Sequence, residues 1–182
     1  MYGKENLEQR IRNTYRMYYR DVYQFLLFFT GDEHSVEDLT QEVFMKVLKA
    51  LPQFDERASL KTWILHIAKN VAIDQHRRKR LSVVFGNNLL KLIPAAKDRQ
   101  PEEAFQAKEE KEYIESAILK LKPKYRMIVI LRGVKEYSVK ETAEILGCSE
   151  AKVKVDFHRA IKMLQQKLQT YMRGGQDGER TK

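Results

Sequence analysis

Apolar side chains return every three to four positions along most of the chain, which is the spacing of one buried face on an α-helix. Ile11, Tyr15, Tyr18, Val22, Phe25, Leu26 and Phe29 make such a stripe as far as Gly31, so the N-terminal segment reads as one amphipathic helix with room for a single break. Asp32 to Ser35 read as a short turn. Ser35 with Asp38 three residues on resembles a capping box, and Val36, Leu39, Val43, Val47 and Leu51 supply the stripe of a second helix that stops before Pro52. A third helix is expected from a Ser59 cap, with Leu60, Trp63, Ile64, Ile67 and Val71 inward, running out into the basic cluster His76 to Arg80.

From Ser82 to Ala104 the helical period fails. Gly86, Asn87, Asn88, Pro94 and Pro101 punctuate the stretch and its charges cancel, the pattern of a flexible linker. Helical spacing resumes from Phe105, with Tyr113, Ile114, Ala117, Ile118 and Leu121 on one face. Pro123 then opens a helix through Leu131 that Gly133 ends. Ser138 and Glu141 form a second capping box, the helix behind it runs to Leu146, Gly147 permits a sharp turn, and Ser149 caps a last long helix to about Met172. Ala143, Gly147 and Val153 sit where two helices joined by a tight turn must approach, pivot and lock, which predicts a helix-turn-helix. The expected architecture is all-α, with two small helical domains, residues 1–81 and 105–173, joined by a flexible linker at 82–104. Residues 174–182 read as a disordered tail with nothing to bury.

Charge narrows the choice of partner. Against 25 acidic residues stand 34 basic ones, a net +9 shared between +3 in residues 1–81 and +6 in residues 105–182, so either half could meet an anion such as nucleic acid. No stretch approaches the roughly 20 apolar residues of a membrane span. The charged N-terminus lacks the apolar core of a secretion signal, and the one cysteine, Cys148, rules out a disulfide framework or a cysteine-based zinc cluster. The expectation is a cytoplasmic protein with no metal and no cofactor. Acidic pairs at metal-site spacing, glycine-rich phosphate loops and nucleophile-base pairs are missing, which argues against an enzyme with catalytic residues or a small-molecule substrate. His66 and His76 read as surface residues, and Cys148 as a small packing residue of the turn.

The run from Phe54 to Arg78, with its Thr-Trp, Ile-Ala, Asn and Asp-x-x-Arg spacing, resembles the promoter-opening segment of the extracytoplasmic-function (ECF) sigma factors of bacterial RNA polymerase. Glu37 to Phe44 is similar to that family's polymerase-binding helix, and Ser138 to Leu164 to its minus-35 reader, so the likeness covers nearly the whole chain. It implies two partners, promoter DNA and core polymerase, the latter met through the clamp of its largest subunit and the flap of its second largest. An anti-sigma factor is implied as well, with the chain near the nucleoid or held at the membrane by that factor.

The residues fit these roles physically. On the last helix Lys152, Lys154, His158 and Arg159, with Val155 between them, can reach phosphates and base edges of the minus-35 element. For capture of an unstacked minus-10 base, the loop around Phe54 and Ser59 would form the pocket. Lys61, Trp63, Lys69, Asn70, Arg77, Arg78 and Arg80 would offer contact and charge, although Trp63, in register with Ile67 and Val71, reads more readily as a packing residue than as a stacking platform. Asp38, Gln41 and Glu42 share a polar face opposite Leu39, Val43 and Val47 and could meet a basic surface on core polymerase. Asp156 stands where the family commonly has a basic residue, Val155 where it has a small polar one, and Leu60 where it often has an aromatic. These departures leave the promoter sequence undetermined, but not the class. The rival reading is a helix-turn-helix regulator that binds a palindrome as a dimer and never melts DNA.

Overall fold

The structure, a computed structural model, describes residues 7–55, 59–85 and 112–177, and among them every regular element is helical. Helix α1 spans Leu7–Thr30 without a break and ends where Gly31 takes φ +63°, with the Gly31 N–H on the Leu27 carbonyl at 2.8 Å. Helix α2 is Glu33–Ala50. Its cap is Asp32 rather than Ser35: the Asp32 carboxylate accepts from the His34 N–H at 3.1 Å and from the Ser35 hydroxyl at 2.9 Å. One carboxylate placed a turn earlier serves two donors, so Ser35 becomes part of the cap's network instead of the cap itself. A single 3₁₀ turn, Leu51–Gln53, absorbs Pro52, and helix α3 follows over Leu60–Phe85. The three helices pack against one another through Val22, Phe25, Leu26 and Phe29 of α1, Val36, Leu39, Val43 and Val47 of α2, and Ile64, Leu65, Ala68 and Val71 of α3. Helix α3 therefore runs four residues into the segment read as linker, since nothing before Gly86 interrupts helical propagation. The rest of that segment lies outside the described residues.

The second half contains α4, helical over 112–119, α5 over Pro123–Val129, α6 over Val139–Leu146 and α7 over Glu150–Asp177. Helix α5 does not continue regularly to Leu131. It opens into a π-helical turn, Ile130–Val134, in which the Lys135 N–H bonds the Ile130 carbonyl at 2.8 Å. Five consecutive apolar residues, Met127 to Leu131, are all buried there, so the element is enclosed on every side. Glu136 then reverses the chain with φ +56°. Helix α7 carries on through Gly174 and Gly175, four residues into the segment read as a disordered tail, because glycine weakens a helix by only about 1 kcal/mol and each added residue still gains a hydrogen bond. The last five residues lie outside the description.

The two halves share one apolar core, with α3 packed on α6 and α1 packed on α5 and the π turn. A flexible linker between the two domains was expected, and in the described residues the two halves lie in direct contact. At Gly31 a side chain would be strained by φ +63° and would push the Leu119 side chain, 2.5 Å from its Cβ, out of the corner where α4 meets α1. Deeper in, the buried Arg126 of α5 donates to the Phe29 carbonyl of α1 at 2.7 Å and to the Leu121 carbonyl at 3.3 Å, and bonds the Leu119 carbonyl as well.

Two outcomes follow from this packing. Arg126→Met should lower the unfolding midpoint by an amount equivalent to about 2–4 kcal/mol, because buried carbonyls of both halves lose their donor; chemical denaturation with and without the substitution measures it. The Asp32 carboxylate, held down to about 2 chiefly by the Lys79 hydrogen bond at 2.6 Å, stabilises the folded chain above the usual carboxylate pKa. That contribution should fade as pH falls from 3.8 through about 2, so the stability gap between the parent and Asp32→Asn should close over that window.

Candidate nucleic-acid interface

The helix-turn-helix forms as the sequence dictates. Ser138 accepts from the Glu141 N–H at 3.1 Å while Glu141 accepts from the Ser138 N–H at 2.8 Å, and this serine bond is the main reason that the Glu141 carboxyl lies below its usual range. Gly147 takes φ +68°, and the Gly147 and Cys148 N–H groups both reach back to the Ala143 carbonyl, at 2.8 and 3.0 Å. The Ser149 hydroxyl accepts from the Lys152 N–H at 3.3 Å to start α7. Ala143 and Val153 are buried at the crossing. Cys148 is half-buried in the turn, where burial pushes its thiol up, away from the reactive thiolate.

Helix α7 presents Lys154, Val155, His158 and Arg159 to solvent on one side. Lys152 behaves differently: its ammonium bonds Asp156 Oδ2 at 2.9 Å, and Lys124 of α5 approaches the other carboxylate oxygen at 3.6 Å. Asp156 is only 7% exposed, and the Lys152 hydrogen bond holds its carboxyl below the usual range. An acid on α7 is thus buried against the two cations Lys152 and Lys124.

On α3 the expected residues divide. Ser59, Asn70, Arg77, Arg78 and Arg80 are exposed, and Arg78 Nη1 lies 4.0 Å from Glu42. Phe54 and Trp63 are half-buried with ring centroids 4.8 Å apart, so Trp63 packs on the entry loop and is no open stacking platform. The loop residues 56–58 lie outside the described residues. Lys61 is engaged elsewhere. It pairs with Asp21 at 3.0 Å and sits 5.2 Å over the Tyr137 ring of the other half; burial works against its charge, but these bonds outweigh that and hold its pKa above the usual lysine value. Lys69 is half-buried, and burial lowers its pKa. On α2, Asp38 and Gln41 are exposed, whereas Glu42 is half-buried and paired with Lys46 at 2.8 Å.

Sequence reasoning missed the contacts between the halves. His66 is half-buried and donates Nδ1–H to the Ile145 carbonyl at 3.0 Å, stitching α3 to α6. His76 lies edge-on to Phe29 at 6.4 Å, and its pKa is lowered by burial and then by Arg126 and Arg80. Lys135 reaches back to Gln24 on α1. The signal available beforehand was Arg126 itself, a lone charge inside the apolar run Tyr125 to Leu131, which is a rare placement unless the charge is partnered.

Comparison with known proteins agrees with this geometry. Residues 14–81 match the family model for sigma-70 region 2 and residues 111–164 that for sigma-70 region 4. The ECF RNA polymerase sigma factor SigX of Bacillus subtilis is 35% identical over 170 residues, covering 90% of this chain and 86% of SigX. SigM of the same organism is 34% identical over 154 residues, covering 85% and 92%. The sigma factor RpoE of Bartonella quintana, solved in complex with the anti-sigma factor NepR, superposes with a TM-score of 0.69 at 21% identity over 88% of this chain and 98% of that one, a likeness of fold.

The inward carboxylate yields a direct test. Asp156→Asn should release Lys152 and Lys124 toward DNA, tightening duplex binding and steepening its salt dependence by about one to two phosphate contacts, read from affinity against salt concentration. An unchanged slope would mean that neither lysine reaches the backbone.

Proposed function

The chain belongs to the ECF family of RNA polymerase sigma factors, DNA-binding transcription initiation factors, and we propose a residue-level division of that work between its two halves. Residues 1–85 form the promoter-opening and polymerase-binding unit, residues 112–173 the minus-35 unit. Lys154, Val155, His158 and Arg159 face the minus-35 major groove, with Lys152 joining them only when it leaves Asp156. Asn70, Arg77, Arg78 and Arg80 hold the minus-10 strands by charge and hydrogen bonds, and the Phe54 to Ser59 loop over Trp63 takes the unstacked base. Asp38 and Gln41, exposed on α2, dock on the clamp of core polymerase, with Glu42 a secondary contact. The chain catalyses no reaction itself, works in the cytoplasm, and is a candidate for capture by an anti-sigma factor, as RpoE is captured by NepR.

The observation that carries this reading is the pair of basic helix faces, one on α7 and one at the end of α3. A dimeric regulator needs only the first, which is why the palindrome reading is set aside. Distance makes one further demand. Elements centred at minus-35 and minus-10 are roughly 25 base pairs, or about 85 Å, apart on B-form DNA. A globule of 182 residues has a radius of gyration of about 16 Å, so the closed chain cannot touch both. The halves must part on the promoter, releasing Lys61 from Tyr137 and exposing half-buried Lys69.

Run-off transcription tests the whole reading: the chain alone should give no transcript, and chain plus core polymerase should initiate from specific promoters. Stable palindrome binding by a dimer without polymerase would refute it. Replacing Lys154 and Arg159 by alanine should cost about 1–3 kcal/mol per lost contact in closed-complex affinity and leave opening intact, whereas Asn70→Ala should spare duplex binding and impair opening, the two read apart by permanganate footprinting. Asp38→Lys should weaken binding to core polymerase with the fold unchanged; equal affinity would remove α2 from the docking surface.

A further inference from the structure

Closing the halves creates a cleft of about 410 Å³ that neither half has alone. From α3 come Lys69, Ile73, His76, Arg77 and Arg80. Across from them stand Lys124, Met127 and Ile128 of α5, Leu146 of α6, and Lys152 and Asp156 of α7. Its floor is apolar and its rim is cationic. Five Lys and Arg side chains face a single carboxylate, and Asp156 already serves Lys152 at 2.9 Å and Lys124 at 3.6 Å. Among the described residues no hydrogen bond or ion pair engages Lys69, Arg77 or Arg80, so the side chains that line the cleft carry an excess of four positive charges.

We propose that this interdomain cleft binds a nucleoside polyphosphate, with the phosphates on the Lys69, Arg77, Arg80 and Lys124 rim and the base on the Ile73, Met127, Ile128 and Leu146 floor. The charge matches, since three linked phosphates carry about four negative charges near neutral pH. The size matches too: pockets for small organic ligands run from about 300 to 1,000 Å³, whereas a nucleic-acid duplex cannot enter a space of this volume. The aliphatic floor can cover the face of a base and shield it from water, a contact that bare phosphate cannot make. Burial already penalises the Lys69 ammonium, and an anion beside it removes that penalty. Because both halves supply the rim, an occupied cleft favours the closed chain by mass action, and Lys69, Arg77 and Arg80 are then withheld from promoter DNA.

The inference rests on the closed packing and not on the promoter assignments, so its test uses neither DNA nor polymerase. The full chain is titrated calorimetrically with ATP, with GTP and with inorganic tripolyphosphate at one fixed ionic strength, because any basic protein attracts polyanions weakly. The expected result is saturable one-to-one binding of both nucleotides, at least tenfold tighter than tripolyphosphate. Lys124→Glu, on an exposed part of α5, should weaken it at least tenfold, and Arg80→Glu should do so from the opposite wall. Arg126→Met, which lies outside the cleft but loosens the closure, should weaken it as well. No saturable binding would overturn the proposal, as would tripolyphosphate binding equal to ATP, or nucleotide affinity indifferent to Lys124→Glu and Arg80→Glu.

Discussion

One guanidinium joins the two halves of this protein. Among the described residues Arg126 has no carboxylate partner; its fork is satisfied by the carbonyl of Phe29 in the last turn of α1 and by those of Leu119 and Leu121 where α4 gives way to α5. Helix C-termini carry unpaired carbonyls and a partial negative charge, and a planar cation with five donors can serve two such ends at once where a lysine could not. The arrangement costs something, since burial lowers the arginine's pKa and Nε finds no partner. It persists because removing the cation would strand several buried carbonyls together. The Gly31 corner, the Phe29 to His76 edge contact and the α3 to α6 seam all depend on α1 and α5 being held at this distance.

The same packing engages groups proposed to meet the promoter. Lys61 pairs with Asp21 and lies over Tyr137, and Lys69 is half-buried in the cleft. On α7, Asp156 holds the Lys152 ammonium in an ion pair. The exposed cations, Lys154 and Arg159 on α7 and Arg77, Arg78 and Arg80 on α3, remain for a first encounter with DNA. Electrostatic attraction acts at a distance and needs no opening, whereas simultaneous contact with two separated elements does. Closure and function thus compete for a small set of lysines and not for the whole surface.

Much of the fold was legible in the chain because its signals are local. The Ser138 and Glu141 box, the Gly147 pivot and the buried Ala143 and Val153 each concern residues within one or two turns of one another, so spacing alone identifies them. The Asp32 cap was misread as Ser35 because both are capping residues within four positions, and only geometry decides which one the helix starts behind. The π turn was illegible because no pattern distinguishes a widened turn from a regular one inside a continuous apolar run. The packing of the halves was hidden for a deeper reason: the partners of Arg126 and His66 are backbone carbonyls, which every residue possesses and no sequence advertises. Of the expected interface, Lys154, His158 and Arg159 of α7 and Asn70, Arg77 and Arg80 of α3 are exposed, while Lys61, Lys152, Arg78 and Glu42 are engaged by partners on other elements or one helical turn away and Lys69 is half-buried.

The account turns on a chain that is closed when free and parted when it works. Its most direct test is the distance between the halves, measured by pulsed dipolar spectroscopy on spin labels at Met17→Cys of α1 and Gln165→Cys of α7 in a Cys148→Ala background. The free chain should give one narrow, short distance, and assembly with core polymerase on a promoter should lengthen it by tens of ångströms. A broad distribution in the free chain, or an unchanged short distance in the initiating complex, would contradict it.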